Sequence, residues 1–260
     1  YETYEYIRQA ALKSGVDPVV STKSYAYDEK QANEALEEAR RLLDRDVIDI
    51  FMLHEQESRL TLRGHRDALE YYMKQKALGR IRAVGVSTHN VEVVDAASDM
   101  DGIDVIHPIF NMKGIGISDG GADDMERAIV KASKAGKGIF SMKPLGGGNL
   151  ISGYSEAMDY VLGRNSIHSV AVGMRSTAEV DMNIAFFKGE PPDSVLQKTV
   201  SLQNRKLHIE SWCEKCGNCI EQCRQKALSM KDGCIAVDAD KCVLCGYCCA
   251  VCPVFAIKVF

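Results

Sequence analysis

Residues 48–87 read IDIFMLHEQESRLTLRGHRDALEYYMKQKALGRIRAVGVS, and the architecture follows from how this stretch alternates. Ile48–His54 and Ile81–Ser87 are short, apolar and β-branched, as strands covered on both faces are. Arg66–Ala77 between them has the spacing of an amphipathic helix. Strand, helix, strand in that order means parallel neighbours. The alternation continues on both sides. Pro18–Lys23, Val105–Phe110, Gly138–Lys143 and Ser169–Gly173 read as further strands. Asp28–Arg45 carries Ala32, Ala35, Leu36, Ala39, Leu42 and Leu43 at helical spacing, with Asp28 as its N-cap. Val91–Ser98, Ala122–Ala135, Tyr154–Leu162 and Thr177–Phe187 complete the helices.

Six such units are countable, and a closed (β/α)8 TIM barrel needs eight. A helix at Glu2–Lys13 precedes the first visible strand, so it should follow an earlier one. The expected fold is therefore α/β: a TIM barrel lacking its first two strands in this fragment, with Tyr1 just past strand two. An open doubly wound sheet is the alternative, since six strands would satisfy it. No G-x-G-x-x-G follows the first visible strand, which weighs against it.

The composition shifts near residue 205. All ten cysteines lie from Cys213 onward. Cys213, Cys216, Cys219 and Cys223 form C-x2-C-x2-C-x3-C, and Cys242, Cys245, Cys248 and Cys252 repeat it 29 residues on, with Pro253 after the last. Three thiolates on a tight turn suit three corners of an iron–sulfur cube, and the fourth caps a second cube. The expected wiring is crossed: Cys213, Cys216, Cys219 and Cys252 hold one 4Fe–4S cluster, and Cys242, Cys245, Cys248 and Cys223 hold the other. Structural zinc needs no third cysteine at that spacing. Disulfides need an oxidising compartment, and no signal segment is visible. Cys234 and Cys249 read as small buried residues. Asp232-Gly233 marks a turn between the copies. The domains are then 1–205, a partial barrel, and 206–260, a small α+β ferredoxin-like domain. About 50 residues build little core of their own, so the clusters would hold the second domain together.

A net charge of −4 gives no reason to expect nucleic acid or an anionic membrane as partner. No apolar run approaches the length of a membrane span. Labile clusters without an export signal imply a cytoplasmic setting.

In βα barrels the chemistry sits at the carboxyl ends of the strands. Those ends carry Lys23, His54, Ser87-Thr88, His107 with Asn111, and Lys143-Pro144-Leu145 followed by Gly146, Gly147 and Gly148. Lys23 also reads as an exposed lysine closing a strand, and His54 as a structural histidine. Gly173-Met174-Arg175-Ser176 precedes the last helix, where backbone N–H groups, a helix N-terminus and an arginine together suit a phosphate.

Taken in order, Ser21-Thr22-Lys23, Ile48 to His54, Ile81 to Ser87, Met142 to Gly146 and Gly173 to Ser176 resemble the aldo/keto reductase family over roughly residues 1–190. The tail is similar to a bacterial two-cluster ferredoxin. The resemblance implies carbonyl reduction or alcohol oxidation with NADP(H) or NAD(H), by an Asp, Tyr, Lys and His tetrad. Lys23 matches the lysine and His54 the histidine. Tyr1 is the candidate tyrosine, although its spacing to Glu5-Tyr6-Ile7 is about one residue short. Ser87, Thr88, His107 and Asn111 would lie around the nicotinamide, Lys143, Leu145 and Gly146 at the pyrophosphate, and Arg175, Glu179 and Asn183 at the adenosine end. The family commonly has Asn after Ser87 and Gln at strand six, so Thr88 and His107 depart from it. The implied partners are a small carbonyl or alcohol and a redox protein. A non-enzymatic alternative is an electron-transfer or docking protein whose barrel no longer turns over.

Overall fold

The structure, a computed structural model, describes residues 3–174, 176–190, 205–223, 225–242, 244 and 246–259. Six strands form one sheet: β1 (Ser21–Ser24), β2 (Ile48–Gln56), β3 (Ile81–Thr88), β4 (Val105–Pro108), β5 (Gly138–Met142) and β6 (Ser169–Ala171). They neighbour one another in chain order, and the β1–β2, β2–β3, β3–β4 and β4–β5 pairings are all parallel. A doubly wound sheet reverses its order at a switch point. This one never reverses, so winding goes one way, as in a barrel.

The helices are α1 (Tyr4–Ser14), α2 (Glu29–Leu43), α3 (Arg59–Gly64), α4 (Arg66–Ala77), α5 (Val91–Ser98), α6 (Ala122–Lys134), α7 (Tyr154–Leu162) and α8 (Thr177–Phe187). Asp28 caps α2 as expected, accepting the Gln31 N–H at 2.8 Å. The short α3 has no counterpart in the sequence reading. It forms because Ser58 and Thr61 cap each other's backbone N–H reciprocally.

By its contacts the chain divides into two compact units. The first comprises the chain up to Pro108, with Asp124–Phe140 and Ser166–Ser169. Its core holds Leu36, Ile48, Phe51, Tyr72, Val84, Val86 and Ile106, from strands and the helices over them. The second comprises Ile109–Asp123, Ser141–Asn165 and the chain from Val170 on. Loops after β4 and β5 thus fall in the same unit as the cysteine-rich tail.

That tail is two copies of one unit. β7 (Leu207–Ile209) pairs antiparallel with β10 (Ile257–Val259), and β8 (Leu228–Lys231) with β9 (Cys234–Val237). Asp232 and Gly233, at φ 51° and 71°, make the hairpin turn between β8 and β9. Short helices α9 (Asn218–Gln222) and α10 (Tyr247–Ala250) follow Gly217 and Gly246, both left-handed. Lys215 and Leu244 also have positive φ, as do Lys226 and Phe255. Each of these pairs is 29 residues apart, so the repeat seen in the cysteines extends to the backbone.

Gly85 tests the sheet. A Cβ there would lie 2.4 Å from the Val105 carbonyl oxygen on the neighbouring strand. Gly85→Ala should lower the urea midpoint, followed by circular dichroism, with a loss of about 2–3 kcal/mol.

Candidate functional site

In the first unit the strand ends gather Lys23, His54, Ser87, Thr88 and His107. The register sets Lys23 opposite Met52 and Ser24 opposite Leu53, so His54 follows directly beyond Lys23 on the adjacent strand. Between Leu53 and Gln56 the β2–β3 register slips, and Glu55 has φ 52°. Such a bulge re-aims side chains at a strand end. Here it coincides with His54.

His54 Nδ1 lies 3.0 Å from Ser87 Oγ, which also accepts the Glu55 N–H at 3.0 Å. The Tyr25 ring packs on the imidazole at 4.4 Å, and its hydroxyl donates to Glu55 Oε2 at 2.6 Å. Burial holds the Lys23 pKa below the usual lysine range, and the Glu55 carboxylate draws it partly back. Lys23 is therefore no exposed strand terminator. It is a desolvated ammonium, short of negative charge.

Other strand-end groups are tied more tightly. The buried Thr88 hydroxyl donates to the Gln56 carbonyl at 2.6 Å and accepts the Asn90 N–H at 2.9 Å. His107 donates from Nδ1 to the Phe140 carbonyl and stacks on the Phe140 ring. A carbonyl only accepts, so the Nδ1 proton is fixed. Tyr1 lies outside the described residues. Tyr4, in α1, is buried and bonded to Thr22 Oγ1 at 2.6 Å; burial pushes its pKa up, as suits a structural phenol.

The second unit holds the remaining predicted contacts. Asn111 has both ends of its amide on loop backbone: Nδ2 donates to Ile115 O and Oδ1 accepts Ile115 N–H, each at 2.9 Å. Lys143 has φ 57°, and its ammonium lies 4.2 Å above the Phe255 ring. Leu145 is buried with Tyr154, Ala157, Met158 and Met182. Gly146 to Gly148 form a single tight turn. A Cβ on Gly148 would lie 2.3 Å from the Val259 carbonyl oxygen, so this glycine admits close approach of the tail's last strand.

Gly173 is exposed, and Arg175 lies outside the described residues. Ser176 caps α8 by accepting the Glu179 N–H at 3.2 Å. Glu179 pairs with Arg205 at 3.1 Å, both nearly buried. Asn183 accepts the Tyr154 hydroxyl at 2.9 Å and donates to Glu179 O at 2.7 Å.

The cysteines line two cavities. Cys213, Cys216, Cys219 and Cys252 line one, of about 10 Å³. Cys223, Cys242 and Cys248 line another, of about 20 Å³. Cys245 lies outside the described residues. Backbone N–H groups reach Cys213, Cys223 and Cys252 sulfurs at 3.4, 3.3 and 3.2 Å. Burial, then the thiolates of Cys248, Cys213, Cys252 and Cys216, push the Cys219 thiol up to about 11. Among the described residues no three His, Cys, Asp or Glu groups gather to hold a metal ion. Cys249 is buried as expected, whereas Cys234 is exposed at the start of β9.

Sequence reading missed Tyr25, Glu55, Asn149 and Phe255. Tyr25 lies two residues beyond Lys23, the strand period, which is the one signal that could have flagged it.

The aldo/keto reductase family model matches residues 3–166, and the chain belongs to that family: it is an NAD(P)-dependent oxidoreductase. Among solved structures, the aldo-keto reductase AKR11C1 from Bacillus halodurans in its holo form is 18% identical, covering 76% of each chain with TM-score 0.59. Its apo form is 18% identical over 76% of each chain, with TM-score 0.58. A Pseudomonas aeruginosa protein described as an aldo-keto reductase is 17% identical, covering 70% of this chain and 68% of its own, with TM-score 0.59. At these identities the likeness is one of fold. No curated protein matches the chain. No helix among the described residues is long and apolar enough to cross a membrane.

The Lys23 shift makes a stability prediction. Its folded pKa lies below the unfolded value, so the unfolded chain binds more protons between the two. Wild-type stability should rise with pH across that alkaline window and be lost as pH falls back through it. Lys23→Met should lack that increment and melt higher than wild type at neutral pH, by scanning calorimetry.

Proposed function

We propose that this chain reduces small carbonyl compounds, or oxidises the corresponding alcohols, with NADP(H) or NAD(H), and carries two 4Fe–4S clusters in its tail. The observation that carries the enzymatic reading is the desolvated Lys23 ammonium one strand from His54. Bound dinucleotide supplies or takes the hydride at the carbonyl carbon. The protein manages the oxygen. With the Ser87 hydroxyl donating to His54 Nδ1, the ring proton would sit on Nε2, the tautomer that donates to a carbonyl oxygen. Lys23 stabilises a phenolate beside it and so makes that phenol a better proton donor to the developing alkoxide. Tyr1 is the assigned donor. Tyr25, packed against His54, is the second phenol to test.

Ser87 and His107 in the first unit would contact the nicotinamide. In the second, Lys143 and the α8 N-terminus, with Gly146, Gly173, Arg175 and Ser176, supply positive charge and backbone N–H groups suited to phosphates. Glu179 and Asn183 shape that end from within, through Arg205 and Tyr154.

The cysteine lining fits the crossed wiring. One cavity takes Cys213, Cys216, Cys219 and Cys252. The other takes Cys223, Cys242 and Cys248, with Cys245 completing the set by its spacing. Such clusters pass single electrons, which points to a redox protein as a further partner and to a cytoplasmic setting. Residues 206–260 then form the ferredoxin-like domain, and 1–205 the barrel.

One observation favours the second reading, an electron-transfer or docking protein without turnover: the Thr88 hydroxyl and Asn111 amide are already bonded to backbone. The two readings separate by anaerobic titration with NADPH and then NADH, following cluster and nicotinamide absorbance together. Nucleotide consumption with cluster bleaching supports the redox-coupled enzyme, and absence of binding supports the second reading. His54→Ala and Lys23→Met should each lower kcat/KM by about 10²–10⁴ without loss of iron. The reconstituted chain should hold about eight irons, and Cys213→Ala about four.

A further inference from the structure

The glycine turn and the cysteine-rich tail share one polar contact. Asn149 follows Gly148, and its Nδ2 donates to the Gly146 carbonyl at 2.6 Å, which fixes the carboxamide. Its Oδ1 accepts the Cys249 thiol at 3.0 Å. Cys249 is fully buried and lies outside the repeated cysteine spacing, and its sulfur is 4.0 Å from that of Cys248. Gly246, which opens α10, backs the same group: a Cβ there would lie 3.2 Å from the Asn149 Cβ. A thiol has one hydrogen. Given to Asn149, it is withheld from Cys248. Hydrogen bonds to a cluster's sulfurs stabilise its reduced, more negative form, so the choice of acceptor tunes the potential.

We propose that Asn149 is a positioning residue that couples dinucleotide occupancy of the Lys143–Gly148 turn to the reduction potential of the cluster held by Cys223, Cys242, Cys245 and Cys248. This rests on the dinucleotide and cluster assignments above. Two effects share a sign. A bound pyrophosphate adds negative charge to the turn, and reduction adds negative charge to the cluster. The pyrophosphate also steadies the turn, which keeps Oδ1 on Cys249 and the thiol hydrogen away from Cys248. Dinucleotide therefore favours the oxidised cluster, and by reciprocity the oxidised protein binds dinucleotide more tightly.

The test uses the full chain without oxygen and a redox-inert probe, 2′-phospho-ADP-ribose. Cluster potentials come from titration followed by electron paramagnetic resonance, and affinities from calorimetry of oxidised and reduced protein. In wild type the reduced form should bind the probe about fivefold more weakly, equivalent to a potential lower by about 40 mV at 59 mV per tenfold. In Asn149→Leu that ratio should fall below the wild-type value, to what charge repulsion alone leaves. Cys249→Ser keeps a donor and should keep the ratio, while Cys249→Ala should lower it in the same way; this pair carries the test if Asn149→Leu fails to retain iron. The proposal is overturned by a ratio of one in wild type, or by equal ratios in wild type, Asn149→Leu and Cys249→Ala. A reconstituted protein without iron, sulfide or resonance signal sinks the cluster assignment. Failure of oxidised wild type to bind the probe sinks the dinucleotide assignment. Either result is read before the ratios are compared, and takes the proposal with it.

Discussion

Parallel strands covered on both faces leave little room for polar groups along their length. Ile48, Phe51, Leu53, Val84, Val86 and Ile106 are all buried without exposed area. Unpaired polar groups in such a layer would cost more than hydrophobic contacts return. Polar chemistry is thereby confined to where strands run out, and Lys23, His54, Ser87 and Thr88 stand there. Asp49 tests the rule from the other end of β2. It is buried, but it accepts the Val20 N–H at 2.9 Å and pairs with Arg45 and Arg82, so its charge is compensated. Lys23 has no comparable ion pair among the described residues, only the longer-range influence of Glu55. The two charges show the difference between a group built for stability and one left electrostatically unsatisfied.

The tail faces the opposite problem. It has few large apolar side chains to bury: Leu207, Leu228, Ile235, Phe255, Ile257 and Val259 make up most of its core. Its turns are held in conformations that non-glycine residues seldom adopt, at Lys215, Lys226, Leu244 and Phe255. Such turns need external enforcement, which the proposed clusters would supply. Close backbone approach at Gly148 and the Lys143–Phe255 contact add enforcement from the loop after β5.

Much of this was legible in the residues. Helices α4, α5 and α7 occupy the ranges that apolar spacing marks out, because each presents one buried stripe; α8 keeps its range although it buries Glu179 and Asn183 and exposes Val180, Ile184 and Phe187. Three kinds of feature were not. The α3 helix depends on a reciprocal cap more than on apolar period, so it left no stripe to find. The triglycine read as a phosphate loop because glycines permit close approach, but sequence does not say what approaches; at Gly148 it is the Val259 carbonyl. Thr88 and Asn111 stood at the right strand ends, yet their hydrogen bonds go to nearby backbone, which no residue pattern announces.

The 29-residue repeat is symmetric in backbone and asymmetric in surroundings. At matching positions the first copy has Lys226 and the second Phe255, and Phe255 packs under Lys143. At another matching pair the first copy has Ile220 and the second Cys249, whose thiol meets Asn149. The duplicated halves are therefore no longer interchangeable. The second copy is the one that meets the loop after β5. Exchanging the order of the two copies would take Phe255 from under Lys143 and Cys249 from Asn149, so the succession of the halves along the chain is itself constrained.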